Sequence, residues 1–128
     1  MSVGLAAAVA NGLLDALGNA ANYTAPTAIY MKLHIGDPGA AGASNAAVET
    51  TRKQGSFAAA ASGAITTDAA LTWTNVGGTE DYTNWSAHDA AAAGAFLCSG
   101  TMTANAVVAG DTFTVATGDW DLSLTTAA

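Results

Sequence analysis

Thr27-Ala28-Ile29-Tyr30-Met31-Lys32-Leu33-His34-Ile35-Gly36-Asp37-Pro38-Gly39 decides how the chain reads. Ile29, Met31, Leu33 and Ile35 alternate with Tyr30, Lys32 and His34, the period-two pattern of a strand with one dry face and one wet face. Pro26 suits a strand entrance, because its missing N–H is tolerated there. Gly36-Asp37-Pro38-Gly39 then turns the chain. The same strand-then-turn grammar returns downstream. Leu71 to Val76, Tyr82 to His88, Phe96 to Met102, Thr112 to Ala116 and Trp120 to Thr125 each alternate, and Gly/Asp or Gly/Ala clusters separate them. Arg52 to Phe57 adds a short strand, and a turn is expected at Ser62-Gly63. In the segment 82–88, Thr83, Trp85 and Ala87 share one face, and Tyr82, Asn84, Ser86 and His88 the other. In the segment 71–76, Leu71, Trp73 and Asn75 share a face. Residues 39–51 lack any period and read as a surface loop.

Helical periodicity occurs once, over residues 3–18. There Leu5, Val9, Leu13 and Leu17 recur every four residues and Leu14 widens the stripe. Gly18-Asn19 is the expected stop. Gly4 and Gly12 each weaken this helix by about 1 kcal/mol against alanine, so it needs a docking surface: its own sheet or a neighbouring subunit. The expected fold is mainly β, a β-sandwich-like domain of six to eight short strands with one N-terminal α-helix. One domain spans 1–128, with the amphipathic helix in 1–20 and the β-rich part in 27–125.

Composition bounds the function. Of 128 residues, 51% are hydrophobic but only 7% are aromatic, so nine rings must anchor most of the core. Charged residues are 10%, and Ser, Thr and Asn carry much of the solvation. The net charge is −7, with Lys32, Arg52 and Lys53 the only cations. Binding to nucleic acid draws on clustered Lys/Arg that release counterions, so neither nucleic acid nor an anionic membrane is an expected partner. The acidity instead suits solubility at high local copy number. The start of the chain lacks the basic residues of a secretion signal, which predicts synthesis in a cytoplasm. Asn11, Gly12, Asp15 and Gly18 interrupt any membrane-spanning run.

No residue pattern reaches the quality of a catalytic or metal site, so no cofactor and no metal is expected. Glu80 and Asp81 are adjacent on a strand and diverge. Asp119 and Asp121 share a face, but the solvent face, since Trp120 takes the other. Asp37, Asp111 and Asp119 each follow a glycine, which turn formation explains, and the spaced Asp loop of a calcium site is absent. His34 and His88 lie on expected polar strand faces without a third ligand. Cys98 is a lone cysteine that reads as a small buried residue. Among the aromatics, Trp73 and Trp120 are expected in the core, and Trp85 reads either as core or as a surface ring. Tyr30 and Trp85 are the candidates for surface recognition of a sugar.

Taken in order, several of these stretches resemble a family of small virion proteins of tailed bacteriophages, notably actinophages, often called tail fibre or minor tail proteins. They are Leu13-Leu14-Asp15-Ala16-Leu17, Tyr23 to Thr27, Leu33 to Gly39, Tyr82-Thr83 with Asp89 to Ala91, Phe96 to Gly100, Ala109 to Phe113 and Gly118 to Leu124. The chain departs from the family pattern at His88, where a tryptophan is usual. The resemblance implies a non-enzymatic structural protein of the virion, a multi-copy surface accessory of tail or capsid. Its implied partners are other phage structural proteins and further copies of itself. The helix stripe Leu5, Val9, Leu13 and Leu17 is the expected assembly interface. The alternative is a carbohydrate-binding module that recognises host cell-wall glycans through Tyr30 and Trp85.

Overall fold

The computed structural model describes residues 3–127; residues 1–2 of the expected helical segment and residue 128 of the expected domain lie outside them. One helix, α1 (Ala7–Gly18), precedes eight strands: β1 (Tyr30–His34), β2 (Lys53–Gln54), β3 (Ala64–Thr66), β4 (Leu71–Trp73), β5 (Glu80–His88), β6 (Phe96–Val107), β7 (Phe113–Val115) and β8 (Asp121–Ser123). A four-stranded antiparallel sheet in the order β2-β1-β5-β6 is the frame. Two antiparallel ribbons, β3-β8 and β4-β7, complete the mainly β architecture.

Aromatic rings join the ribbons to the sheet. Tyr82 of β5 meets Phe113 of β7 edge-on at 5.0 Å, and Phe113 meets Trp73 of β4 at 5.7 Å. Trp85 of β5 meets Trp120, just before β8, edge-on at 5.5 Å, and Trp120 meets Phe57 at 5.0 Å. Met31, Leu33, Ala87 and Val76 fill the space between them, all 1% exposed or less. The scarce large side chains are thus spent on joints between layers, as expected of Trp73 and Trp120. Trp73 also donates its indole N–H to the Thr51 carbonyl at 2.7 Å.

The strand boundaries depart from the periodic reading in instructive ways. β6 runs on to Val107 because pairing with β5, from His88↔Phe96 to Glu80↔Val107, sustains a stretch of Thr, Ala and Asn that has little apolar signal of its own. At Asn75 the backbone turns to φ 55°, a conformation that Asn tolerates. Val76, not Asn75, therefore enters the core. The expected turn at Ser62-Gly63 is present, with φ of 52° and 76°. Two mutual hydrogen bonds between Ala61 and Ala64, at 2.9 and 3.0 Å, close it. This is the two-residue hairpin geometry that needs positive φ at both central positions, and it launches β3.

At the N-terminus the expected helix loses its first turn to the sheet edge. Leu5 bridges Cys98, Ala6 N–H donates to the Leu97 carbonyl at 2.8 Å, and Ser99 N–H donates to the Gly4 carbonyl at 2.8 Å. The outer edge of β6 offers unpaired backbone groups that residues 4–6 satisfy as an extended segment. Leu5 therefore lies before the helix, not on it. α1 ends at Gly18, where Asn19 donates its side-chain amide to the Asp15 carboxylate at 2.8 Å. The left-handed residue that follows is Ala20, φ 54°, rather than Gly18 or Asn19.

The long loop after β1 packs back onto the sheet, pinned by Glu80. Its carboxylate accepts from Val48 N–H at 2.8 and 3.0 Å and from Glu49 N–H at 3.3 Å. Glu80→Ala leaves these two N–H groups to water and removes a charge-assisted tether. It is expected to cost about 1 kcal/mol, since the site is partly solvated. Glu80→Gln keeps an acceptor and should recover part of that. Urea denaturation of the three proteins, with amide exchange at Val48 and Glu49, checks the order.

Candidate functional site

Two regions carry more chemistry than the fold requires. The first is apolar. Leu5, Val9 and Leu13 form one wall of a groove of about 540 Å³ whose other side includes Tyr23, Ile29 and Leu97. α1 itself buries no residue. Leu17 is 85% exposed and Leu14 64% exposed. The helix stands along the sheet edge rather than against it. Of the expected stripe, Leu5, Val9 and Leu13 come together in this groove and Leu17 lies outside it.

The second region is polar and lies inside the sheet. β1 places His34 and β5 places Ser86 and His88, all three 5% exposed or less. His34 Nδ1 lies 2.8 Å from the Ser44 carbonyl, His34 Nε2 lies 2.8 Å from Ser86 Oγ, and Ser86 Oγ lies 2.9 Å from His88 Nε2. A carbonyl can only accept, so His34 carries its proton on Nδ1 and its Nε2 is an acceptor. Ser86 therefore donates to His34. Its hydroxyl hydrogen is then spent, so His88 must donate from Nε2 to Ser86. That leaves the lone pair of His88 Nδ1 buried with no partner.

Burial favours the neutral form of both rings. His88 is pushed down to about 4, first by burial, then by the neighbouring Arg52, Lys32 and His34, with Asp89 opposing. His34 is lowered too, chiefly by burial, against the raising effect of the Ser44 and Asn45 backbone. Both rings were expected on a wet strand face. They are dry because distant chain packs over them: the loop after β1, with Pro38 and Gly42 buried, reaches His34 through Ser44, and the His88 ring lies at a tilt on Phe96, 5.8 Å between centroids. Gly42, φ 66°, sits where a Cβ would lie 2.3 Å from the Phe96 ring, so only glycine permits this closure. No single-strand pattern signals it.

A serine that donates to an imidazole invites comparison with a nucleophile and its base. Here Ser86 is fully buried, its oxygen already accepts from His88, and none of the three residues lines the apolar groove or the cleft beside β6. The second of these clefts, about 600 Å³, runs between β6 and β7, with Asp119 and Asp121 in its lining. Among the described residues, no three His, Cys, Asp or Glu side chains gather as a metal-donor group. Cys98 is buried in the core cluster, and burial pushes its thiol up to about 11, away from the reactive thiolate.

The two residues read as surface recognition candidates separate. Tyr30 is half-buried and donates its hydroxyl to Gln54 at 3.5 Å. Trp85 is 7% exposed, with its ring against Trp120. Its ring is largely covered, and what remains lines both the apolar groove and the cleft beside β6. Glu80 and Asp81 diverge, the first to the loop and the second to solvent.

Among the described residues, no helix is long and apolar enough to cross a membrane. No curated protein matches the chain. A family model described as podophage GP4 fiber I protein gp80 matches residues 4–123, which includes α1, every strand and both regions just described. The chain belongs to this phage fibre family, and its role is that of a phage structural protein.

Proposed function

We propose that the chain is a non-enzymatic, multi-copy accessory subunit on the outside of a tailed-phage particle, joined to its neighbours through the apolar face of α1. The observation that carries this reading is a helix that buries none of its own residues while Val9 and Leu13 line an apolar groove. A 12-residue helix without an N-capping side chain, an acidic first turn or a basic last turn is marginal in water. It persists where something covers it. A neighbouring copy or another virion protein seated on Leu5, Val9, Leu13 and Leu17 supplies that cover and fills the groove. The low charge of the chain and its Thr- and Ala-rich surface suit repeated close contact between subunits.

The test pairs antibody labelling of intact particles, viewed by electron microscopy, with Leu13→Asp. Label at the tail end supports a fibre or minor tail position; label over the head makes the protein a capsid decoration. Leu13→Asp is expected to leave a folded monomer and to abolish incorporation into particles. A monomer that unfolds means that α1 serves its own sheet, and a folded variant that incorporates normally overturns the assembly role of the stripe.

A further inference from the structure

We propose that His34, Ser86 and His88 form an acid-sensitive latch, which holds the 36–47 loop over the sheet when both rings are neutral and releases it on protonation. The inference goes beyond the structural role and does not depend on it.

The loop tip is nearly self-contained. Gly42 N–H donates to the Gly39 carbonyl, Ser44 N–H to the Pro38 carbonyl, Gly39 N–H to the Asp37 carboxylate and the Asn45 side-chain amide to the Asp37 carbonyl. The base of the loop pairs with β1 and its extension, through Ile35 N–H to Asn45 and Ala47 N–H to Leu33. Between these, residues 38–44 form a unit whose hydrogen bond to the sheet is the one from His34 Nδ1 to Ser44. The packing of Gly42 on the Phe96 ring and the burial of Pro38 are its other holds. A unit bound to itself and hinged at its base can leave the sheet without breaking its own bonds.

The three-residue chain has no room for a further proton. A proton on His88 Nδ1 creates a buried N–H with no acceptor. A proton on His34 Nε2 takes the acceptor of Ser86. Either Ser86 accepts from both rings and its own hydroxyl hydrogen is orphaned, or it turns to donate to His88, which must move its hydrogen to Nδ1, where again nothing accepts it. Either way a charge and an orphaned donor appear together in a dry site, and that cost falls on whatever excludes water. The charged groups facing the rings add to it. Lys32 on β1 and Arg52 before β2 repel an imidazolium, and Arg52 is fixed there by bonds to the Ala90 and Ala93 carbonyls at 2.9 and 2.6 Å. Asp89, after β5, attracts it, but its carboxylate is committed to Ala95 N–H at 2.7 Å. β6 contributes Phe96, which is uncharged. Lifting the loop admits water to both rings and is the local way to accept the proton.

Amide hydrogen exchange of the full chain at pH 7.0 and 4.5, corrected for intrinsic rates, tests the latch. Exchange in residues 36–47 is expected to rise about tenfold or more at pH 4.5, while β4, β5 and β7 keep their protection. In His88→Phe, which keeps an aromatic neighbour for Phe96 and cannot titrate, most of the rise should vanish. Wild-type loop exchange that does not change with pH overturns the latch, whatever the variant does. A rise shared by the core strands overturns it as well, because the histidines then report global unfolding. A rise retained in a folded His88→Phe assigns the response elsewhere and equally overturns it.

Discussion

Trp120→Ala is expected to destabilise the protein by about 3–5 kcal/mol, the range for truncating a large buried aromatic. The side chain is 1% exposed and sits between Phe57 and Trp85, so it joins the β3-β8 ribbon to the four-stranded sheet. Its indole N–H has no partner, so the substitution removes packing and no hydrogen bond. In a chain with nine rings in 128 residues, few large side chains stand ready to refill the space. Urea denaturation followed by circular dichroism measures the loss. Leu17→Ala, at an 85% exposed position, is the matching control and should change stability by less than about 0.5 kcal/mol. A loss below about 1 kcal/mol for Trp120→Ala would mean that the ribbon is held elsewhere.

The contrast between these two positions shows what the sequence discloses. The alternation at 29–35 and the Gly/Asp turns locate most strands, and the scarcity of rings identifies Trp73 and Trp120 as core. Both inferences use properties local to a segment. The errors are all of one kind: they concern what covers a segment. The alternation places His34 and His88 on a wet face of their own strands, and that fails because distant chain folds onto it. Ser44 of the 36–47 loop closes on His34, and Phe96, with Gly42 packed on it, closes on His88. Glu80 looks like an ordinary loop charge until Val48 and Glu49, some thirty residues earlier, present their N–H groups to it. Residues 4–6 continue the helical pattern, yet the open edge of β6 draws them into extended pairing. β3 carries too few apolar residues to announce itself, and only the Ser62-Gly63 turn marks its start. The apolar stripe of α1 was legible as a stripe; that the helix would bury none of it was not, because periodicity gives a face and never its partner.

Between pH 7 and 4.5 the protein is expected to lose stability, by about 2 kcal/mol at most from His88 alone. The sign follows from the direction of the shift. The folded state holds His88 down to about 4 and lowers His34 as well, whereas the unfolded chain titrates near 6.5. Below 6.5 the unfolded chain therefore binds more protons than the folded one, and acid favours unfolding. The contribution is complete above the unfolded value and is lost as the pH falls toward the folded value. Urea midpoints at half-unit intervals measure it, and His88→Phe should flatten most of the dependence. If the loop stayed closed, the loss would continue through pH 4.5 and level only near the folded value of about 4. Local release of the 36–47 loop gives them an earlier route to water. Once lifting the loop costs less than keeping a proton out, the open-loop form binds the proton while the core stays folded, and the slope levels off. A curve that falls from pH 6.5 and flattens before 4.5, in the range where loop exchange rises, is the expected result. An unbroken slope would place the whole acid response in the core.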